Sequence, residues 1–227
     1  MGRYQEGHGS ARYQVNARGI LCVLVVLLLF VPGRLSASDI LVIEVKDAIS
    51  PPIASYIMEN IDSAVATNKA AIIIRLDTPG GLDSAMRDII QKEMNANIPV
   101  IVYVSPKGAR AASAGALITL ASDIAAMSPG TNIGAAHPVS IGGGDDKDGK
   151  DSTMVNKVTN DAVAYANSIA RERKRSEQWA EDIVRKSIST PAQEALTKGV
   201  IDIVAQDMTD LLNQLHGRKI KKNLTTF

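Results

Sequence analysis

The chain has 227 residues, of which 45% are hydrophobic and only 4% aromatic, and it carries a formal net charge of +1. The first 37 residues hold four Arg against one Glu; beyond them 21 basic residues face 23 acidic ones, a balance that excludes an electrostatic nucleic-acid surface. The roughly 190 residues that remain are enough for one domain with a sizeable core, and aliphatics in excess of aromatics favour layered α/β packing over a β-sandwich.

The chain opens as an export signal. Arg3, Arg12 and Arg18 precede an apolar run over residues 20–31, and the small residues Ser36, Ala37 and Ser38 follow. A run this short falls below a membrane span, so cleavage near Ala37 or Ser38 is expected, with a short anchor as the alternative. The single cysteine, Cys22, lies inside it in a poor context for lipid attachment, and the rest of the chain has neither a disulfide nor a thiol nucleophile. Residues 1–37 are thus expected to be a signal or anchor, 39–216 the domain, and 217–227 a loose basic tail.

The domain alternates. Residues 40–45 predict a strand, and Ser50 with Pro51 and Pro52 predicts the capped start of a helix running to about Ala66. Strands follow at 71–76, 98–104 and 124–126, with helices at 82–94 and 112–122. This spacing argues for a mostly parallel sheet flanked by helices, an α/β fold. Residues 141–151, rich in Gly and Asp, read as a mobile loop flanking the active-site cleft; they lack the closing glutamate of a calcium loop. A helix from Asp151 or Ser152 carries an apolar stripe of Met154, Val158, Ala162, Tyr165 and Ile169. Trp179, Ile183 and Val184 mark another helix, and Thr190-Pro191-Ala192-Gln193 reads as a capping box before a short one closed by Gly199. A last strand over 200–204 and a terminal helix around Leu211 and Leu215 complete the domain.

Chemistry concentrates in two turns. Ser113 lies in the small-residue stretch 108–115, between a buried strand and an apolar helix, where the first helical N–H groups lack partners. That position suits a nucleophile, because the N–H of Ala114 faces the oxyanion that attack by the serine creates. The same residues also suit a tightly packed helix pair. The turn Thr78-Pro79-Gly80-Gly81-Leu82 repeats the strand–turn–helix layout, and the amide of Gly81 is the candidate second donor.

These turns, with Gly108-Ala109-Arg110-Ala111-Ala112-Ser113-Ala114-Gly115 and Met127-Ser128-Pro129-Gly130-Thr131-Asn132-Ile133-Gly134-Ala135-Ala136-His137-Pro138-Val139, resemble the NfeD family over roughly residues 39–205. Members of that family are membrane-bound serine proteases of the Clp-protease/crotonase superfamily, encoded beside stomatin-like proteins. The resemblance implies that fold and a Ser-Lys dyad. It also implies a homodimer, and substrates that are hydrophobic segments of membrane proteins, notably the C-terminal region of a stomatin-like partner. Long members continue into several membrane spans and a small β-barrel; the residues here stop short of both, as in a short member or a part of a longer one.

The resemblance selects Lys157, in Asn156-Lys157-Val158-Thr159-Asn160, as the dyad's base; by itself that residue also reads as an ordinary surface lysine. A lysine acting as base must reach its neutral form near neutral pH, which desolvation at the margin of an apolar face favours. His137 is the alternative base, because it falls near the position of the triad histidine in cytosolic Clp proteases. No cofactor is implied, and no His/Cys cluster has metal spacing. Two further readings use the same fold: a crotonase-like enzyme acting on acyl-CoA thioesters through the paired amides, and a non-catalytic scaffold for a stomatin-like protein.

Overall fold

The computed structural model describes residues 1–2, 39–138, 151–218 and 220, with the side chains of 151–153 outside that set. The chain divides into Met1–Ala37 and Ser38–Phe227, and the fold below is that of the second unit. The expected signal with Cys22, nearly all of the glycine- and aspartate-rich loop, and most of the basic tail lie outside the described residues. Among the described residues, no helix is long and apolar enough to cross a membrane.

In chain order the elements are β1 (Ile40–Val45), α1 (Pro51–Ala66), β2 (Ala71–Leu76), α2 (Asp83–Asn95), β3 (Val100–Val104), β4 (Arg110–Ala112), α3 (Ala114–Ala121), β5 (Ile124–Met127), β6 (Asn132–Gly134), α4 (Asp151–Glu172), α5 (Glu177–Arg185), β7 (Ser189–Pro191), α6 (Ala192–Thr197), β8 (Ile203–Val204) and α7 (Met208–Leu215). The main sheet has five strands in the order β1-β2-β3-β5-β8, all parallel. Its central strands are near-continuous β-branched and aliphatic runs, as burial on both faces requires. Ile72, Ile74, Val100 and Val102 meet Ile57 and Ile61 of α1, Ile89 and Ile90 of α2, and Ile118 of α3 on one face. Ile73, Ile101 and Tyr103 meet Leu211 and Leu215 of α7 on the other.

A second sheet, in the order β4-β6-β7, stands at the site. β4 pairs parallel with β6, and β6 antiparallel with β7. Periodicity does not announce these three-residue strands; β4 takes Ala112 out of the expected helix, which begins at Ala114.

Two arginines from the end of α4 close the far end of α3. Arg173 Nε donates to the Ala121 carbonyl at 2.6 Å and its guanidinium pairs with Asp123 at 2.5 Å. Arg175 donates to the carbonyls of Thr119, Leu120 and Ser122 and pairs with Asp202 at 2.5 Å. Cations at a helix C-terminus satisfy orphan carbonyls and oppose the negative end of the dipole. Burial pushes the Arg175 guanidinium below its usual pKa, and the Asp202 carboxylate beside it pulls the other way.

Three local expectations change. Ser50 precedes α1 with prolines in its first turn, but its side chain makes no capping bond. Thr190 is not a cap: Pro191 takes that position, while the Thr190 hydroxyl accepts from Trp179 Nε1 at 2.9 Å. Of the expected stripe on α4 only Ile169 is buried, beside Val163, Ala166 and Ala170; Ala162 and Tyr165 are half-buried, and Met154 is 61% and Val158 48% exposed. Among the described residues, nothing covers the apolar side chains on the first turns of α4.

Candidate active site

Ser113 occupies the N-cap of α3 with φ +53° and ψ −118°, a backbone region that a residue with a Cβ enters only under strain. The fold holds it from both sides. Its N–H donates to the Gly134 carbonyl at 2.9 Å, the Ala112 N–H donates to the Thr78 carbonyl at 3.1 Å, and the Thr78 N–H donates to the Arg110 carbonyl at 2.8 Å. β4 is thereby fastened to β6 on one side and to the Thr78 turn on the other.

That turn lies directly on the serine. A Cβ at Gly80 would meet Ser113 Cβ at 2.6 Å and Ser113 Oγ at 3.2 Å, and Gly80 has φ +114°. The Thr78 side chain is fully buried and shapes the turn: its Oγ1 accepts from the Gly80 N–H at 3.1 Å and donates to the Gly80 carbonyl at 3.2 Å. Gly115 is small for the same reason, since a Cβ there would meet Thr78 Cγ2 at 2.4 Å.

Gly81 is fixed from behind by Ile49. The Ile49 N–H donates to the Gly80 carbonyl at 2.7 Å and the Leu82 N–H donates to the Ile49 carbonyl at 2.8 Å. In such a parallel bridge the flanking residues make the bonds, so the N–H of Gly81 itself points away from Ile49. A Cβ at Gly81 would lie 2.0 Å from the Ile49 carbonyl oxygen, so only glycine fits. Among the described residues neither the Gly81 N–H nor the Ala114 N–H, the first of its helix, has a backbone partner.

The structure thus brings the serine turn and the glycine turn into contact. Lys157 lies on the exposed first turns of α4, and no hydrogen bond or ion pair joins it to another described residue. His137 is half-buried, and its Nδ1 lies 2.8 Å from the Val184 carbonyl. A carbonyl only accepts, so Nδ1 carries the proton and Nε2 is left as the acceptor.

One residue near the site escaped the sequence reading. Arg87 of α2 donates through Nε to Asp83 at 2.8 Å and through Nη2 to Asp161 of α4 at 2.7 Å, and it stacks 4.3 Å from the Tyr165 ring centroid. Partial burial works to lower its pKa, but the two carboxylates outweigh that and raise it. The Asp83–Arg87 spacing is visible along a helix; the partner on α4 is not. Among the described residues no group of His, Cys, Asp or Glu has the arrangement of a metal centre.

The fold that carries these turns is that of known protease structures. The chain matches the "1510-N membrane-bound stomatin-specific protease" in two variant forms. The serine-to-alanine form has 39% identity and TM-score 0.74, covering 82% of this chain and 89% of that one. The lysine-to-alanine form, solved with a substrate peptide, has 39% identity and TM-score 0.75, covering 84% and 85%. Residues 39–221 match the family model described as NfeD1b, N-terminal domain, and the chain belongs to that family.

Among full-length relatives it is 40% identical over 204 residues to the membrane-bound protease PH1510 of Pyrococcus horikoshii, covering 90% of this chain. It is 32% identical over 166 residues to the membrane protein NfeD1b of Bacillus subtilis, covering 73% of this chain. The chain spans 46% and 36% of the lengths of these two relatives.

Proposed function

We propose that the domain is a serine endopeptidase with Ser113 as nucleophile, Lys157 as general base, and the N–H groups of Gly81 and Ala114 as oxyanion donors. The observation that carries this reading is the strained backbone of Ser113, held by β6 and the Gly80 turn; strain of this kind persists where function requires it. The relatives support it, because the residues replaced in their protease structures are a serine and, further along the chain, a lysine, the types found at 113 and 157.

In this reading neutral Lys157 takes the Ser113 hydroxyl proton as Oγ attacks the peptide carbonyl. The tetrahedral oxyanion rests on the two amides. Collapse expels the amine, which takes the proton back from Lys157. Water, deprotonated by the now neutral Lys157, then attacks the acyl carbonyl, and collapse releases the carboxylic acid as Ser113 Oγ takes the proton back from Lys157.

As substrates we infer hydrophobic segments of membrane proteins, first among them the C-terminal region of a stomatin-like partner. A relative is described as specific for a stomatin homolog. Met154, Val155 and Val158 also leave apolar surface exposed around Lys157, and a hydrophobic segment covering it would exclude water from the amine. The N-terminal sequence supports export with membrane association, and the family resemblance supports a homodimer.

His137 is the second reading for the base, favoured by its bond to Val184, which leaves Nε2 free to accept a proton. Labelling by a fluorophosphonate probe separates the readings. Wild type should label and Ser113→Ala should not; Lys157→Ala should label about a hundredfold more slowly, and His137→Ala within a few-fold of wild type. A wild type that never labels, or a Ser113→Ala that still does, overturns the nucleophile. Loss of labelling in His137→Ala with normal labelling in Lys157→Ala moves the base to His137.

A further inference from the structure

We propose that Arg87 is a positioning residue for the base: it holds the Asp161 carboxylate across to α2 and so keeps that carboxylate from pairing with Lys157. The inference rests on the Ser113–Lys157 reading. Residues four apart on a helix are surface neighbours, so Asp161 is the natural ion-pair partner of Lys157 on their own element. Instead its carboxylate accepts from Arg87 Nη2 at 2.7 Å, and Lys157 has no ion pair among the described residues. Arg87 is itself fixed twice more, by Asp83 at 2.8 Å and by the Tyr165 ring at 4.3 Å.

The arrangement has a second consequence. Asp83 is the first residue of α2, two positions after Gly81, so Arg87 also fastens the glycine turn to the helix that carries the lysine. Among the described residues of the helices packed on α4, the charge next to this stretch is engaged elsewhere. Arg185 of α5 donates to Asn160 at 3.2 Å and pairs with Glu181 at 2.7 Å, and α3 carries no ionisable side chain. When Arg87 is removed, Asp161 is the carboxylate released one helical turn from the amine, where it would hold the proton on Lys157.

The test is the rate of fluorophosphonate labelling of Ser113 in the full chain, followed from about pH 6 to pH 10. Arg87→Met keeps an apolar stack on Tyr165 and removes the charge. Its rising limb should move up by about half a pH unit, roughly a threefold slower reaction on that limb, as an exposed helical ion pair permits. Arg87→Met combined with Asp161→Asn should return the limb to the wild-type position. A purely structural role would lower labelling equally at every pH, with no recovery in the double variant; either result overturns the proposal, as does a limb that stays in place. Lys157→Ala run in parallel keeps the two readings apart. If it labels with an unchanged limb, the base assignment falls and this inference with it. If it is inactive while the Arg87→Met limb stays put, only the role of Arg87 falls. Matching thermal midpoints for all variants guard against loss of fold.

Discussion

Gly80→Ala measures how tightly the glycine turn holds the nucleophile. The added Cβ would stand 2.6 Å from Ser113 Cβ and 3.2 Å from both Ser113 Oγ and the Ala112 carbonyl oxygen. To reach ordinary contact near 3.4 Å, the serine must retreat by about 0.8 Å, in a region held by the Gly134 and Thr78 bonds. Overpacking of this kind costs about 1–3 kcal/mol, and alanine at φ +114° adds about 1–3 kcal/mol of backbone strain. The total, about 2–6 kcal/mol, is a large part of an ordinary domain's stability of about 5–15 kcal/mol but leaves a folded population over most of that range. A displacement near 1 Å at a reacting atom commonly lowers rate by about a hundredfold, so Ser113 labelling should slow by that order. Urea unfolding gives the first quantity and probe kinetics the second. Gly130→Ala is the control: φ is +78° there but nothing lies within 4 Å of the new Cβ, so stability falls by backbone strain alone and labelling stays at the wild-type rate. Wild-type labelling in Gly80→Ala, with less than about 1 kcal/mol lost, would refute the claim that this turn fixes the serine.

Arg175→Met should destabilise the domain by about 3–5 kcal/mol in urea titrations, because it strips a buried cation from three helix-end carbonyls and leaves Asp202 with only the Ala125 N–H; an effect below about 1 kcal/mol would refute this. Trp179→Phe keeps the buried ring but loses the donor to Thr190, whose hydroxyl is then left in an apolar setting, and should cost about 1–2 kcal/mol in the same assay. Acid should destabilise with a definite sign. The hydrogen bond from Arg171 holds Glu177 below its usual 4.5, that from Lys186 holds Asp182 below its usual 3.8, and the backbone N–H of Gln206 does the same for Asp210. Groups with lowered folded values stabilise fully above their unfolded values and lose that contribution as pH falls through the folded ones. Thermal midpoints should therefore hold down to about pH 5 and decline below the usual carboxylate range, and a midpoint that rises on acidification there would contradict the sign.

What the sequence made legible follows from where each signal resides. β1 and β2 keep the expected boundaries, because an uninterrupted apolar run between polar turns is a local signal that burial respects. Ser113 and the Gly80-Gly81 turn were visible as a repeated strand–turn–helix layout. Their contact was not, because it is made across 33 positions by pairing of the Thr78 turn with β4, a strand of three residues. β6 and β7 were hidden for the same reason: three residues carry no period, and only their partners define them. On α4 the pattern misled in part. Met154 and Val158 continue the stripe of Val163 and Ala166 at helical spacing, yet the core ends before it reaches them. Periodicity reports that a face is apolar and says nothing about what covers it.

The proposed machinery is thus divided between a half held by the fold's own backbone bonds and a half on an exposed helix end. Ser113, Gly81 and Ala114 are set by backbone bonds among β4, β6 and the Thr78 and Ile49 segments, and by glycines whose replacement would drive atoms together. No substrate is needed to assemble them, which is what preorganised oxyanion stabilisation demands. Lys157 instead rides on a helix anchored at its far end by Arg173 and Arg175 and near its middle by Arg87, while among the described residues the turns that carry the lysine are exposed. In that reading, binding energy from an apolar substrate segment would be spent on covering the exposed turns around the base. Under the proposed function, substrate recognition and completion of the catalytic pair would be one event, because apolar contacts that select a segment would also cover the amine.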